Sequence, residues 1–136
     1  MAAVAKSGTP SVATRLPTHE NKTVARASVA IAAGDACYLT GTMSDNLALA
    51  ALATGAAANA AAVVEGFAAA DAAAGEAVTL YRGGVHMHYG AALAPGAGYF
   101  LSGAVAGGLD TVASTGGTAV IARAINASVV RVLGNL

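Results

Sequence analysis

This sequence of 136 residues is poor in the side chains that carry chemistry: it has one cysteine, no tryptophan and 10% charged residues. The single cysteine, Cys37, excludes an intrachain disulfide and a metal site built from several cysteines. Because Cys37 lies in a strand-like run, we expect it to be a small buried hydrophobe. Aromatic residues make up 4% of the chain. That scarcity argues against nucleic-acid binding and against the aromatic platform of a carbohydrate-binding barrel.

Sequence signatures of catalysis are missing too. There is no Gly-x-Ser-x-Gly turn, no dinucleotide fingerprint and no phosphate loop. His86 and His88 have metal-ligand spacing, since positions i and i+2 of a strand share a face. A cupin-like site would need further ligands after them, and residues 89–93 contain no carboxylate. We interpret both histidines as polar residues on the outer face of a strand, and we expect no enzyme activity, no catalytic residue, no metal and no cofactor.

The chain is instead rich in small residues, with 38 alanines and 17 glycines. Much of the 56% hydrophobic content is therefore alanine, which buries little area per side chain. We expect a modest core that gains stability from a partner or a sister subunit. No apolar stretch is strong enough for a membrane span or a secretory signal, so we expect neither.

Charge is balanced overall but unevenly distributed. Residues 1–26 carry four basic side chains and one carboxylate, whereas residues 27–136 carry three basic side chains and six carboxylates. Two prolines and the lack of any sustained period predict an extended conformation for the first segment. The sequence thus predicts a basic N-terminal arm, residues 1–26, on a mildly acidic domain, residues 27–136.

Short apolar runs separated by glycine-rich turns predict an all-β domain, a small barrel or sandwich of about 8–10 short strands. The candidate strands are 29–31, 36–40, 63–68, 77–82, 85–89, 99–101, 109–113, 118–125 and 128–133. Gly83-Gly84, between two of these runs, suits a hairpin turn. Residues 47–62 stay open between a short helix, which alanine favours, and a strand followed by a loop.

An internal repeat runs through this domain. Residues 34–41 and 96–103 share the order glycine, three residues, aromatic, leucine, hydroxyl residue, glycine. Each copy is followed by an apolar run and a strand-like run, which match as 63–67 with 120–124 and 77–81 with 128–132. A duplicated strand unit indicates a building block rather than an enzyme.

One family shares these turn-and-strand phrases, which are 32–36 (AAGDA), 72–78 (AAAGEAV), 98–102 (GYFLS), 119–124 (AVIARA) and 128–133 (SVVRVL). Over residues 28–133 the chain resembles the small Ala/Gly-rich decoration, or cement, proteins of tailed-bacteriophage capsids. The resemblance implies a β-rich, non-enzymatic virion protein, commonly a homotrimer. Such a protein sits on the outer surface of the expanded capsid and stabilises it by clamping adjacent major capsid subunits.

The resemblance also sets the expected partners. These are the major capsid protein and sister subunits, with no direct contact to nucleic acid or membrane. By the same resemblance, the protein is expected to be made in the host cytoplasm. The expected capsid or subunit contacts are Val12, Arg15, Leu16, His19, Lys22, Tyr89 and Pro95. The alternatives are another phage head or tail component, such as a head-fibre base or minor capsid protein, and a small cupin-like metal-binding protein.

Overall fold

A computed structural model describes residues 3–6, 11–12 and 22–133, with backbone alone for Ser11 and Val12. In this part of the chain the fold is all-β, as predicted, with eleven strands and one 3₁₀ turn at Ala60–Ala62. The strands are β1 (Ser11–Val12), β2 (Lys22–Ala27), β3 (Ala36–Ser44), β4 (Leu47–Leu52), β5 (Gly66–Ala68), β6 (Ala77–Tyr81), β7 (His86–His88), β8 (Gly98–Leu101), β9 (Leu109–Asp110), β10 (Val120–Ala124) and β11 (Val129–Val132). Across these described ranges, no helix has the length and apolar character needed to cross a membrane.

Strands β2 to β6 form a closed barrel in the order β2-β4-β3-β5-β6. Antiparallel pairs join all neighbours except β2 and β4, which close the barrel as a parallel pair. The interior of so small a barrel is narrow and must be filled by small side chains. Alanines accordingly supply much of its core, which contains Ala25, Ala27, Ile31, Cys37, Ala50, Ala68, Ala72, Val78 and Leu80. The buried position predicted for Cys37 is confirmed.

Strands β7 to β11 belong to a second sheet, in the order β1-β7-β11-β10-β8-β9. Its inner face builds the larger core cluster, which also takes in residues of the barrel. The bulky members of this cluster are Phe67, Met87, Tyr89, Leu93, Tyr99, Leu101 and Leu109. The two sheets are therefore joined by a common apolar layer, and the barrel has a second, smaller core of its own.

The two halves repeat one pattern of strand pairing. In the first unit, β2–β6, the order is β2-β6-β5-β3-β4; in the second unit, β7–β11, it is β7-β11-β10-β8-β9. Corresponding turns make the same hydrogen bonds. Gly34 donates its amide to the Ala68 carbonyl at 2.8 Å, and Gly96 donates to the Ala124 carbonyl at 2.8 Å. This agreement confirms the repeat between residues 34–41 and 96–103.

The structural alignment differs by one residue from the alignment of the sequence runs. The pairing of β10 with β8 shifts register between Val120 and Ala122, so one extra residue is accommodated there. In register, Phe67 lies opposite Ala36, and Arg123 lies opposite Gly98, the counterpart of Ala36. Phe67 and Arg123 are therefore equivalent positions of the two units.

The two units close differently. The first closes through its β2–β4 pair, whereas no ladder joins β7 and β9 among the described residues. Instead, the N-terminal segment lies at both edges of the second sheet. Ser11–Val12 pairs with β7, and Ala3 bridges Asp110 of β9. The Val4 amide also donates to the Leu109 carbonyl at 2.9 Å.

The predicted arm needs correction, because β2 begins at Lys22 and is a paired strand of the barrel. Its alanines at 25 and 27 point into the barrel interior, and these small inward residues gave too weak an apolar alternation to mark a strand. The predicted strand at 29–31 is reduced to one bridge between Ile31 and Ala72. The arm boundary therefore moves N-terminal to Lys22.

Two further expectations about local structure are settled. Residues 47–62 form β4, a loop and the 3₁₀ turn, so the strand-plus-loop alternative is the right one. The hairpin predicted at Gly83-Gly84 is wrong, because β6 and β7 belong to different sheets. Gly84 has a φ of 92° and donates its amide to the Val132 carbonyl at 2.7 Å. The turn thus directs the chain onto β11 instead of back onto β6.

Candidate interaction surface

A row of basic side chains crosses the outer face of the second unit. Arg123 of β10 lies directly opposite Arg131 of β11, and Arg131 lies directly opposite His86 of β7. Paired residues of neighbouring strands project to the same face, and strands are about 4.8 Å apart. The three side chains, called here the basic row, therefore span about 10 Å across three strands.

Local sequence explains why these side chains point outward. Arg131 stands between Val130 and Val132, both fully buried, and Arg123 stands between the buried alanines at 122 and 124. Because successive residues of a strand project to opposite faces, burial of the neighbours exposes the arginines. Both arginines are exposed and His86 is half-buried.

The row borders a shallow groove of about 350 Å³. His86, Arg123, Ala124, Ile125 and Arg131 line it, and Ile125 is 44% exposed. The groove thus combines an exposed aliphatic side chain with fixed positive charge, a combination common at protein interfaces.

A backbone contact orients Arg123. Its Nη1 donates to the Gly96 carbonyl at 2.9 Å. The turn that contains Gly96 is itself held by the Ala94 amide, which donates to the Tyr99 hydroxyl at 3.2 Å. The remaining N–H groups of the Arg123 guanidinium are available to a partner.

The arginines of the row carry no ion pair within the described part of the chain. The ion pairs there join Lys6 to Asp35, Arg26 to Asp45 at 3.5 Å and Arg82 to Glu65 at 3.5 Å. All three involve carboxylates of the first unit. Positive potential consequently persists over the outer face of the second unit.

The two histidines are on the outer face of β7, as expected from the sequence. Met87 between them is fully buried, His86 is half-buried and His88 is exposed. A cupin-like site would need ligands that converge inside a barrel, whereas these side chains diverge from the core. Within residues 3–6, 11–12 and 22–133, no three His, Cys, Asp or Glu side chains are grouped closely enough to hold a metal ion.

The other residues predicted as contacts are scattered. Pro95 is exposed in the turn that holds Arg123, so it borders the basic row. Val12 of β1 pairs with Met87 of β7. Lys22 is exposed at the start of β2, where it lies opposite Tyr81 of β6. Arg15, Leu16 and His19 lie outside the described residues.

Tyr89 does not belong to the surface. It is fully buried in the larger core cluster, and burial raises the pKa of its hydroxyl above its ordinary value. Among the described residues that hydroxyl has no hydrogen-bond partner. The nearby Leu109 backbone lowers its pKa, and the charge of Asp35 raises it further. The prediction that Tyr89 is a contact residue is therefore wrong, because the alternation of side chains over residues 86–89 turns its ring inward.

Residues 3–6 are attached to the rest of the domain. Lys6 forms an ion pair with Asp35 and donates to the Ala33 carbonyl at 3.2 Å, with the Tyr89 ring 6.0 Å away. Val4 packs against the larger core cluster. The described part of the predicted arm therefore contacts its own domain.

Cys37 carries no reactive potential in this fold. Burial, followed by the negative charge of Asp35, raises the pKa of its thiol to about 12, with Lys6 opposing the shift. The thiol is protonated at neutral pH, and a protonated thiol is neither a nucleophile nor a good metal ligand.

Sequence reasoning missed Arg123 and Arg131 as members of one surface. The signal was present, since a hairpin centred on residue 127 places position 123 opposite position 131. Comparison with protein-family models and with curated proteins yields no match to this chain.

Proposed function

We propose that this protein is a non-enzymatic structural component of a tailed-phage particle. It binds the outer surface of the expanded capsid and stabilises the shell by clamping adjacent major capsid subunits. The proposal is supported by the sequence resemblance over residues 28–133 and by one structural observation, the unequal covering of two equivalent faces.

The observation concerns Phe67 and Arg123, which occupy equivalent positions of the two units. Phe67 points out of the barrel and is fully buried in the larger core cluster, against the second unit. Arg123 points out of the second sheet and is exposed. The first unit thus uses its outer face for an internal contact, and the second unit presents the corresponding face to a partner.

The chemistry of that face suits binding. An arginine guanidinium stays charged at all physiological pH values and donates several hydrogen bonds in a fixed plane. It does not exchange protons as a general base does, so the groups on this face can attract and orient a partner. This property supports a docking role.

A capsid lattice would compensate for the small size of the face. One site with a dissociation constant of about 1 mM provides about 4.1 kcal/mol of binding free energy. Linking several such sites in a homotrimer raises the overall affinity by about 10² to 10⁴ without any new contact. Weak contacts by one subunit are therefore compatible with stable decoration of a shell.

The direct test is co-sedimentation of the purified protein with expanded capsids that lack it, with bound copies counted per major capsid subunit. We expect saturation at a fixed ratio that capsid symmetry allows. Unexpanded shells serve as the control and should bind far less. A stable oligomer that binds neither shell would refute decoration and favour a head-fibre base, a tail component or a minor capsid protein.

A further inference from the structure

We infer that the basic row is the docking site itself, and that it recognises carboxylate side chains on an acidic patch of the capsid's outer surface. This inference rests on the proposed function, and it adds the face used and the chemistry of the partner. Arg123 and Arg131 are the charged contacts, and Ile125 is the apolar contact beside them.

The first argument is the placement of two like charges. Arg123 and Arg131 lie directly opposite each other on neighbouring strands. Like charges at directly opposed positions destabilise a sheet. Within the described residues no carboxylate forms an ion pair with either arginine, so no side chain there neutralises the repulsion between them. An acidic partner that bridges the two guanidinium groups would remove it.

The second argument is preorganisation. Arg123 is held by the Gly96 carbonyl, which fixes the direction of its guanidinium before a partner arrives. Guanidinium and carboxylate groups form two parallel hydrogen bonds when their planes match. An arginine already fixed loses less conformational entropy on binding than a mobile one.

The third argument separates a protein partner from a nucleic acid. Two arginines neutralise about two phosphates, which gives a salt slope of about −1.8 and only weak binding to duplex DNA. Single strands require several aromatic side chains on which successive bases stack. Among the described residues, His86 is the only ring that lines this groove, and no phenylalanine, tyrosine or tryptophan accompanies it. Ile125 instead offers the apolar contact that accompanies arginine at protein interfaces.

The test uses single charge reversals in the full-length chain. Arg123→Glu and Arg131→Glu alter the basic row, and Arg82→Glu makes the same charge change in the first unit, where Arg82 is 43% exposed. We expect each variant of the row to bind expanded capsids at least about tenfold more weakly than the wild type. Arg82→Glu should stay within about twofold. Equal losses in all three variants, or no loss in the row, would overturn the inference.

A charge-conserving variant shows whether carboxylate geometry matters. In Arg123→Lys/Arg131→Lys the charge remains, but the planar pair of donors is lost. We expect capsid binding intermediate between the wild type and the reversals, with melting temperatures close to that of the wild type. Wild-type binding should also weaken as salt rises from about 50 to 200 mM. Binding that ignores salt would refute an electrostatic contact.

A second probe keeps this inference separable from the proposed function. If the wild type fails to bind capsids, the capsid proposal falls, and the row is tested with labelled poly-L-glutamate and with duplex DNA. Binding of poly-L-glutamate that Arg131→Glu abolishes and Arg82→Glu leaves intact supports recognition of carboxylates. Tighter binding of DNA than of poly-L-glutamate, or binding of neither, overturns it.

Discussion

The two units of this protein share one order of strand pairing. They differ in whether their strands form a closed barrel and in whether their outer face is buried by other residues. The first unit joins β2 to β4 and forms a complete barrel, whereas the second has the N-terminal segment at its two edges. The outward position occupied by Phe67 in the first unit is buried, and its equivalent, Arg123, is exposed. A repeated backbone pattern thus supports a buried outer face in one copy and an exposed outer face in the other.

The two units are also expected to differ in the stability of their edge strands. In the first unit, the closing strand β2 pairs with β4 and β6 of the same unit, as in Arg26 with Leu49. In the second, the edge strands β7 and β9 pair with residues of the N-terminal segment, as in Ser11 with His88 and Ala3 with Asp110, and the entire barrel lies between these partners in the sequence. Contacts between distant segments cost more chain entropy than local ones. We therefore expect the edges of the second unit to open first.

The largest expected effect is the difference in stability between alanine variants of the two equivalent positions, Phe67 and Arg123. Phe67→Ala removes a fully buried ring and should lower the free energy of unfolding by about 3–5 kcal/mol. Arg123→Ala changes an exposed side chain and should cost less than about 1 kcal/mol. Urea denaturation of both variants measures the difference. Similar costs would mean that the two outer faces are covered alike.

The next effect concerns the N-terminal segment. Deleting residues 1–12 removes the contacts at both edges of the second sheet, including buried Val4 contacts and the Lys6–Asp35 ion pair. We expect the free energy of unfolding to fall by at least about 3 kcal/mol, from about 2 kcal/mol of apolar burial and about 1 kcal/mol for each hydrogen bond that is lost.

Hydrogen exchange locates that effect. Amides of β7 and β9 should lose protection in the truncated chain, while those of β2 and β6 keep it. A longer truncation, of residues 1–26, would also delete β2 and cannot serve as this test. Equal loss of protection in both units would contradict a specific stabilisation of the edges of the second sheet by residues 3–6 and 11–12.

A smaller effect tests the alignment of the units. Gly98 is the counterpart of Ala36, yet a Cβ at Gly98 would come within 2.8 Å of Val120 Cγ1. Gly98→Ala should therefore destabilise the fold by about 1–3 kcal/mol through crowding. The double variant Gly98→Ala/Val120→Ala relieves that crowding and should recover part of the loss. Unchanged stability in Gly98→Ala would show that the second sheet yields easily at this point.

The smallest effect at neutral pH is the contribution of Cys37 and Tyr89 to the pH dependence of stability. This contribution grows in alkaline solution. Burial raises the pKa of Cys37 from 9.0 to about 12, so the folded state keeps a proton that the unfolded state loses above pH 9. Stability from this group is complete below pH 9 and falls by about 1.4 kcal/mol per pH unit between pH 9 and 12. Tyr89 adds a loss of the same sign, since its pKa is also raised.

Two substitutions separate these contributions. Cys37→Ala should reduce the slope of stability against pH from pH 9 upward, and Tyr89→Phe should reduce it above pH 10, the ordinary pKa of tyrosine. Thermal unfolding at intervals between pH 7 and pH 11 measures both slopes. A wild-type slope that neither variant changes would place the alkaline loss elsewhere.

Local features of the fold could be predicted from the sequence. Strands β6, β7 and β11 lie within predicted runs because buried apolar residues alternate along them, as in Val130-Arg131-Val132, where both valines are buried. The repeat at 34–41 and 96–103 was visible because the same turn needs a glycine in both units. Gly34 and Gly96 each have a φ of 83°.

Other features could not be predicted from local pattern. The local pattern of β2 does not predict a strand, because its buried residues are small alanines and its one larger apolar residue, Val24, is exposed. Gly83-Gly84 looked like a hairpin turn, since nothing nearby in sequence reveals that β7 pairs with β11. Tyr89 looked like a surface contact because an isolated aromatic can face either way until the opposite side of its strand is covered.

The sequence by itself determined the all-β character, the positions of most strands, the buried thiol of Cys37 and the outward direction of Arg131. Each depends on residues one or two positions away, through alternation and turn geometry. The tertiary structure alone decided which strands pair, which unit closes on itself and which outer face is covered. Those outcomes depend on contacts between distant segments, so Phe67 and Arg123 have opposite environments although their backbones occupy the same place in the repeat.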